Sequence, residues 1–359
     1  MATDYQRLLG LRSLNGKVEA FGKDVTRTGV FRQKFQSYGR KLVAEDGTFE
    51  WDEVTYGRGL APVTGHAAPF PEGNPLGTVH RKSSVVHIKR MRRLDPYRMH
   101  YEREPGTLRP NAAAYVEREM KEAMNEIMAT HEYLSAESLR GTVTVNPTNI
   151  PGSTQSFTIT YSPNTYTASN SWATAATKII SVELNQLKAD VEQTCGLSPA
   201  QVIGGAAVNG YITGNSEITN YAAPLMGQRF IEQGSVREGP MLGGLLVGGL
   251  TWTITEGGYV PEGGAFTRYL PTVDEAIVLP PDGELSEVIG WVEGRGMIPA
   301  QQYGPASAAA DLCAPAPQQG WYAFAMLDGN GPAILLCVGY VGNPVVLRPA
   351  AVCVANLIP

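Results

Sequence analysis

Residues 110–139 most constrain what this chain can fold into, because they form one unbroken helical pattern in a sequence otherwise made of short β-prone runs. Val116, Met120, Ala123, Ile127 and Leu134 recur at helical spacing, with Met124 alongside. Glu117–Lys121 and Arg118–Glu122 are four apart on the polar side, where opposite charges support a helix. Pro110 suits a first turn, and Gly141 after Arg140 suits a stop. Thirty residues at about 1.5 Å each make a rod of about 45 Å. That is long for a globular core and suits a structural spine.

The rest of the chain reads as strands, loops and one shorter helix. TVTV (142–145) and SFTITY (156–161) read as a β-hairpin. Residues 171–194 read as a second helix, with Ser171 as its N-cap and Gly196 as its end. Residues 242–255 suit a buried strand pair, and 333–341 with 345–354 are terminal strands. Residues 45–95 read as one long hairpin. Its outgoing strand, 48–54, sets Phe49 and Trp51 on one face, and its return strand is the basic run 85–93. Between them, 57–77 carries nine Gly and Pro residues, can bury little, and should project. A projecting, poorly packed hairpin offers a lone subunit little against its ordering entropy, so it makes sense lying on another subunit.

Charge is unevenly distributed. Residues 1–109 hold 19 Lys and Arg against 12 Asp and Glu, whereas 141–359 hold 7 against 16, within a net charge of −5. A basic front and an acidic back suggest two differently facing surfaces. Residues 1–44 are polar and basic, with Arg7, Arg12, Arg32, Lys34, Arg40 and Lys41 among their cations. They read either as a solvated arm or as one that crosses neighbours or faces a polyanion. The run containing Arg81, Lys82, Lys89, Arg90, Arg92 and Arg93 could touch phosphate or pair with acids of a neighbouring subunit. Alternating strand faces and few interleaved aromatics favour intersubunit pairing.

Local chemistry is sparse. No GxxxxGK[ST] or GxSxG occurs, and Gly57-Arg58-Gly59 runs into Pro62 where a dinucleotide loop needs glycine. His131-Glu132 begins an HExxH, but position 135 is serine. His131 lies on the helix stripe and reads as packed. Asp282, Glu284 and Glu287 read as solvated loop charges. Four cysteines lack CxxC spacing, no signal-like segment opens the chain and no apolar run reaches membrane length. The expectation is free, buried thiols in a reducing cytoplasm, with no catalytic, cofactor-binding or metal-ligating residues and no membrane partner.

The order of these parts resembles the tailed-bacteriophage major capsid proteins of the Hong-Kong-97-type fold. GLSPAQVIGG (196–205), NGYITGNSEI (209–218), LGGL through GGYVPEGG (242–264), YLPTVDEAIVLPP (269–281) and GNPVVLRPAAVCVAN (342–356) resemble the phage-lambda-like branch, in order. The stretch 299–320 falls outside the likeness, and the first 44 residues share only its character. The resemblance implies an α+β fold with an N-terminal arm (1–44), an extended loop (45–95), a peripheral domain with the spine helix (96–170 plus 332–359) and an axial domain (171–331). It implies a virion protein assembled in the bacterial host cytoplasm. There it would form hexamers and pentamers in an icosahedral lattice around double-stranded DNA, which it contacts non-specifically. A portal protein, and separate scaffolding and decoration proteins, are the implied partners. Phe49, Trp51, Arg58, Pro69 and Pro71 become extended-loop contacts, and no lysine–asparagine cross-link is expected. An encapsulin-type nanocompartment shell and a β-rich hydrolase are the alternatives.

Overall fold

A computed structural model describes residues 9–22, 29–44, 47–55, 77–101, 112–169, 171–173, 180–213, 215, 245–247, 249–260, 264–272, 274–299, 313–327 and 333–358. Its elements in chain order begin with α1 (Leu11–Gly22), α2 (Val30–Tyr38), β1 (Arg40–Ala44), β2 (Thr48–Thr55), β3 (Gly77–Ser84), β4 (His87–Leu94) and α3 (Pro96–Tyr101). The spine helix α4 is Ala112–Arg140, close to the expected 110–139. It stops where the sequence said: Gly141 takes φ +106°, and its N–H bonds back to Glu137 and Ser138. Next come β5 (Thr142–Val145), β6 (Phe157–Thr160), β7 (Asn164–Thr167) and α5 (Ile180–Cys195). β5 and β6 pair as the expected hairpin. Gly196, at φ +82°, ends α5 as expected; of its expected first half, 171–173 are not helical and 174–179 lie outside the described residues.

The remaining elements are β8 (Gln201–Gly204), α6 (Val208–Thr213), β9 (Leu245–Val247), β10 (Leu250–Ile254), β11 (Gly258–Tyr259), β12 (Thr267–Arg268), β13 (Glu275–Leu279) and α7 (Leu285–Val288). They continue through β14 (Ile289–Pro299), β15 (Cys313–Gln319), β16 (Trp321–Leu327), β17 (Ile334–Val346), a 3-10 turn (Pro349–Ala351) and β18 (Cys353–Asn356). The expected strand pair in 242–255 is β9–β10, turned at Gly249 with φ +73°.

Two six-stranded sheets organise the chain. The first runs β1-β14-β17-β16, with β15 on β14 and β4 on β17; the second runs β7-β18-β13-β8-β10-β9. α4 lies across β17 and β4, and α1 packs on β16. Val116, Met120, Ala123, Ile127 and Leu134, the stripe legible in the sequence, are all buried there. Asn15 of α1 accepts the N–H of Ala323 at 2.8 Å, a side chain serving an edge strand as a neighbouring strand would. The sheets are tied by side chains. Arg140, at the end of α4, donates to Glu275 of β13 at 2.8 Å and to Glu137 at 2.7 Å.

Several expectations change. The described part of 1–44 is no loose arm: Leu14, Val18, Phe31 and Phe35 are fully buried, and β1 pairs in parallel with β14. The aromatic pair Phe31 and Phe35, four apart, supplies an apolar face that the basic composition hid. The return strand of the hairpin is β3, not 85–93; β4 leaves it after buried Val85 and Val86 and joins β17. The expected cut between 96–170 plus 332–359 and 171–331 also does not follow the sheets. β14, β15 and β16 lie in the sheet of the spine helix, while β18 crosses into the other.

Two glycines set the spacing inside the first sheet. A Cβ on Gly339 of β17 would sit 2.4 Å from the ring of Tyr322, and one on Gly296 of β14 would sit 2.3 Å from it. The Tyr322 ring therefore lies flat over two strands, and no side chain larger than hydrogen fits beneath it. Gly339→Ala should cost about 1–3 kcal/mol through overpacking, read as a lower urea midpoint at unchanged slope.

Candidate assembly surfaces

Three groups of side chains, on α2, on the β2–β3 hairpin and on β4, carry the chemistry that the sequence singled out. The first is built around Glu132. On α4 it belongs to the buried run Met124, Met128, Glu132, Ser135 and Leu139. Its carboxylate accepts the N–H of Phe31 at 2.9 Å and of Arg32 at 2.7 Å, so the spine helix caps the first turn of α2. A Cβ on Gly29 would sit 2.1 Å from a Glu132 oxygen, which explains why glycine precedes α2. Arg32 is fully buried, which corrects its placement among the surface cations. Burial lowers its pKa to about 10, opposed by Tyr340, Glu132 and Glu293. Tyr340 donates to Glu293 at 2.7 Å and accepts from Trp291. His131 packs edge-on among Tyr340, Trp291 and Trp321, as a packed histidine should. Lys34, facing the other way, reaches Asp282 at 2.9 Å and Gln201, fastening α2 to the second sheet. Asp282 thus has a partner where a solvated loop charge was expected.

The hairpin splits into two faces. Phe49 and Trp51 are buried, stacked at 5.0 Å, and Trp51 leans on Tyr161 at 6.4 Å. They fasten the hairpin to its own subunit and do not project. The other face is exposed and cross-paired: Lys82 with Glu50 at 2.8 Å, His80 with Asp52 at 2.8 Å and with Glu50 at 3.4 Å. On the inner face, next to Trp51, Arg81 pairs with Glu53 at 3.1 Å. Arg58, Pro69 and Pro71 lie outside the described residues, as does Arg7.

On β4, Arg90 and Arg92 both reach Glu126 of α4, and Arg92 also approaches Glu122 at 3.8 Å. These arginines were expected to pair with another subunit and instead pair within their own. Lys89 and Arg93 are exposed, as are Arg12 of α1 and Arg40 and Lys41 of β1. Beside β4, a cavity of about 570 Å³ lies between Val86–Arg90 and the loop Ile150–Gln155. Among the described residues no cluster of His, Cys, Asp or Glu could hold a metal ion, and no helix is long and apolar enough to cross a membrane. Cys195 and Cys353 are buried free thiols, as expected, and Cys337 is a half-buried free thiol.

Glu132 and Gly29 were missed in the sequence. The signal for Glu132 was an acid set in a buried row of the helix; for Gly29 there was none.

Two sheets, a spine helix crossing one of them and an extended hairpin define a Hong-Kong-97-type capsid fold. The structure superposes on a crystal structure described as a prophage capsid protein from E. coli CFT073, with TM-score 0.62 and 14% identity over 98% of this chain and 99% of that one. A phage-related protein from Bordetella bronchiseptica RB50 gives 0.51 and 9% over 97% of each chain. The capsid of a native GTA particle gives 0.50 and 10% over 90% and 89%. No curated protein sequence matches the chain. The sequence profile of the family described as phage major capsid protein E matches residues 43–290. The chain belongs to that family: it is a shell-forming structural protein of the virion, not an enzyme.

The buried pair His131–Glu132 makes stability depend on pH. Burial raises Glu132 from 4.5 to about 7, while its bonds from Arg32 and Phe31 pull it down. Between those values the folded chain holds a proton that the unfolded chain has lost, so this contribution falls as pH rises. Burial, with Arg32, holds His131 well below 6.5. The unfolded chain therefore gains a proton there that the folded chain refuses, and this contribution rises with pH. Glu132→Gln removes the first slope and leaves the second. Relative to wild type, its urea midpoint should climb between about pH 5 and about pH 7; equal differences at both pH values would refute the assignment.

Proposed function

We propose that this chain builds an icosahedral lattice of hexamers and pentamers around double-stranded DNA, assembled in the bacterial host cytoplasm. The first sheet with α4 serves as the peripheral domain, the second sheet as the axial domain, and the β2–β3 hairpin as the extended loop reaching a neighbouring copy. A portal protein, and separate scaffolding and decoration proteins, are the partners that this role calls for. The hairpin is the observation that carries the reading. Phe49 and Trp51 anchor its inner face, while Glu50, Asp52, His80 and Lys82 pair with one another across an exposed outer face. A subunit gains little from such a feature alone, and a lattice multiplies many modest contacts of this kind.

Arg12, Arg40 and Lys41 are the cations best placed for non-specific contact with DNA. They are exposed, and no ion pair engages them among the described residues. Arg90 and Arg92 act inside the subunit through Glu126. The family match favours this role over an encapsulin-type nanocompartment or a hydrolase.

Negative-stain electron microscopy and sedimentation of the purified chain test the proposal. Wild type should give closed shells, partial shells or capsomers. Deleting 57–77 should leave the urea midpoint of the subunit near wild type while closed shells disappear. Normal shells from the deletion would remove the role given to the hairpin.

A further inference from the structure

The hydrogen-bond pattern of β4 leaves one of its edges open. Gly342 donates to the carbonyl of Val86 at 3.0 Å, and β4 pairs with β17 from His87–Val341 to Leu94–Ile334. In an antiparallel ladder the bonded pairs alternate. Ile88, Arg90, Arg92 and Leu94 therefore bond to β17, and the backbone groups of Lys89, Met91 and Arg93 point the other way. The N–H of His87 points outward too, and the side chain of Gln155 takes it at 3.3 Å, standing in for a strand. Among the described residues no strand lies along the remaining edge. Met91 is 58% exposed there.

An open edge invites pairing, and basic side chains normally guard against it. The guard on β4 has a single sign: Lys89 and Arg93 stand exposed on the face away from α4, Arg90 and Arg92 turn to Glu126, and no acid lies between 87 and 94. It repels a second β4, and equally β3, which carries His80, Arg81 and Lys82. β2 has the opposite sign: it carries Glu50, Asp52 and Glu53 and no cation of its own, and the β3 cations that pair with these acids lie on the side away from its open edge. β2 has the same length, eight residues, and an open edge of its own. Val85 donates to Gly47 at 2.9 Å, so by the same alternation the backbone groups of Glu50 and Asp52 point away from β3. Within one chain β2 lies along β3, in a sheet separate from β4.

We propose that the open edge of β4 receives the acidic edge of β2 from a second copy of this chain, joining the hairpin of one subunit to the first sheet of the next. This rests on the shell-forming reading and names the surface on which the extended loop lands. The contact is heterologous, since the donor and acceptor edges are different strands. It therefore repeats around a ring instead of closing on a pair.

Proline provides the test, because the N–H of Met91 faces the open edge and not β17. Met91→Pro should keep the wild-type circular dichroism spectrum and urea midpoint, while shell yield by sedimentation falls about tenfold. Asp52→Lys and Lys89→Glu should each lower the yield, and the double variant should restore it. If wild type assembles and Met91→Pro, well folded, assembles equally, the edge pairing is wrong and the shell reading stands. If Met91→Pro unfolds, the charge pair decides: recovery in the double variant supports the pairing, and its failure overturns it. A wild-type chain that forms no shell or capsomer removes both.

Discussion

The contact of α4 with β17 and β4 decides how the rest of the chain is laid out. A helix of 29 residues needs a long partner, and β17, at 13 residues, is the longest strand among the described residues. Once the apolar stripe of α4 is buried there, each further element is placed by what remains exposed. β4 takes one side of β17 and β16 the other, α1 serves the free backbone of β16, and α2 sits where Glu132 can cap it. A buried carboxylate that bonds two backbone N–H groups trades solvation for direction. It specifies where α2 begins more sharply than apolar packing would.

The parts that could be read from the sequence were those in which local pattern and final packing agree. α4, the β5–β6 hairpin and the β9–β10 pair each announce themselves by periodicity and by a glycine at the turn. The hairpin was misread for a physical reason. Residues 85–93 are as β-prone as 77–84, and only the buried pair Val85 and Val86 marks where one sheet is left for another. The same limit applied to 1–44, where the cations outnumber and conceal Phe31 and Phe35. Sheet membership of β14 to β18 was hidden because alternation reports a buried face, never which sheet provides it.

The basic front of the sequence looked like an interaction surface and is largely internal bookkeeping of charge. Arg81, Lys82, Arg90, Arg92 and Lys34 each meet an acid of their own chain, and Arg32 is buried near two. Exposed pairs such as Lys82–Glu50 contribute little to stability, because water and salt screen them. Their effect is on choice. On β4, Arg90 and Arg92 are taken by Glu126, and Lys89 stays exposed beside the open edge. Composition counts charges without seeing who faces whom, so the surplus of cations in 1–109 overstated how many are free for a partner.

The first sheet joins residues far apart in the sequence. β1 pairs with β14 at Arg40–Gly290, and β4 pairs with β17 at Leu94–Ile334. Contacts of such long range make folding slow. They also set a clock on synthesis. At about 5–20 residues per second, roughly ten to fifty seconds separate the exit of β1 from that of its partner. During that interval the apolar side of α4 has emerged from the ribosome and its sheet has not. The nascent chain must be shielded by chaperones or by its own provisional collapse. The first sheet cannot close until β17 is made, because β4, β14 and β16 all pair with it, so a chain stopped short of β17 has no finished first sheet to offer a growing shell.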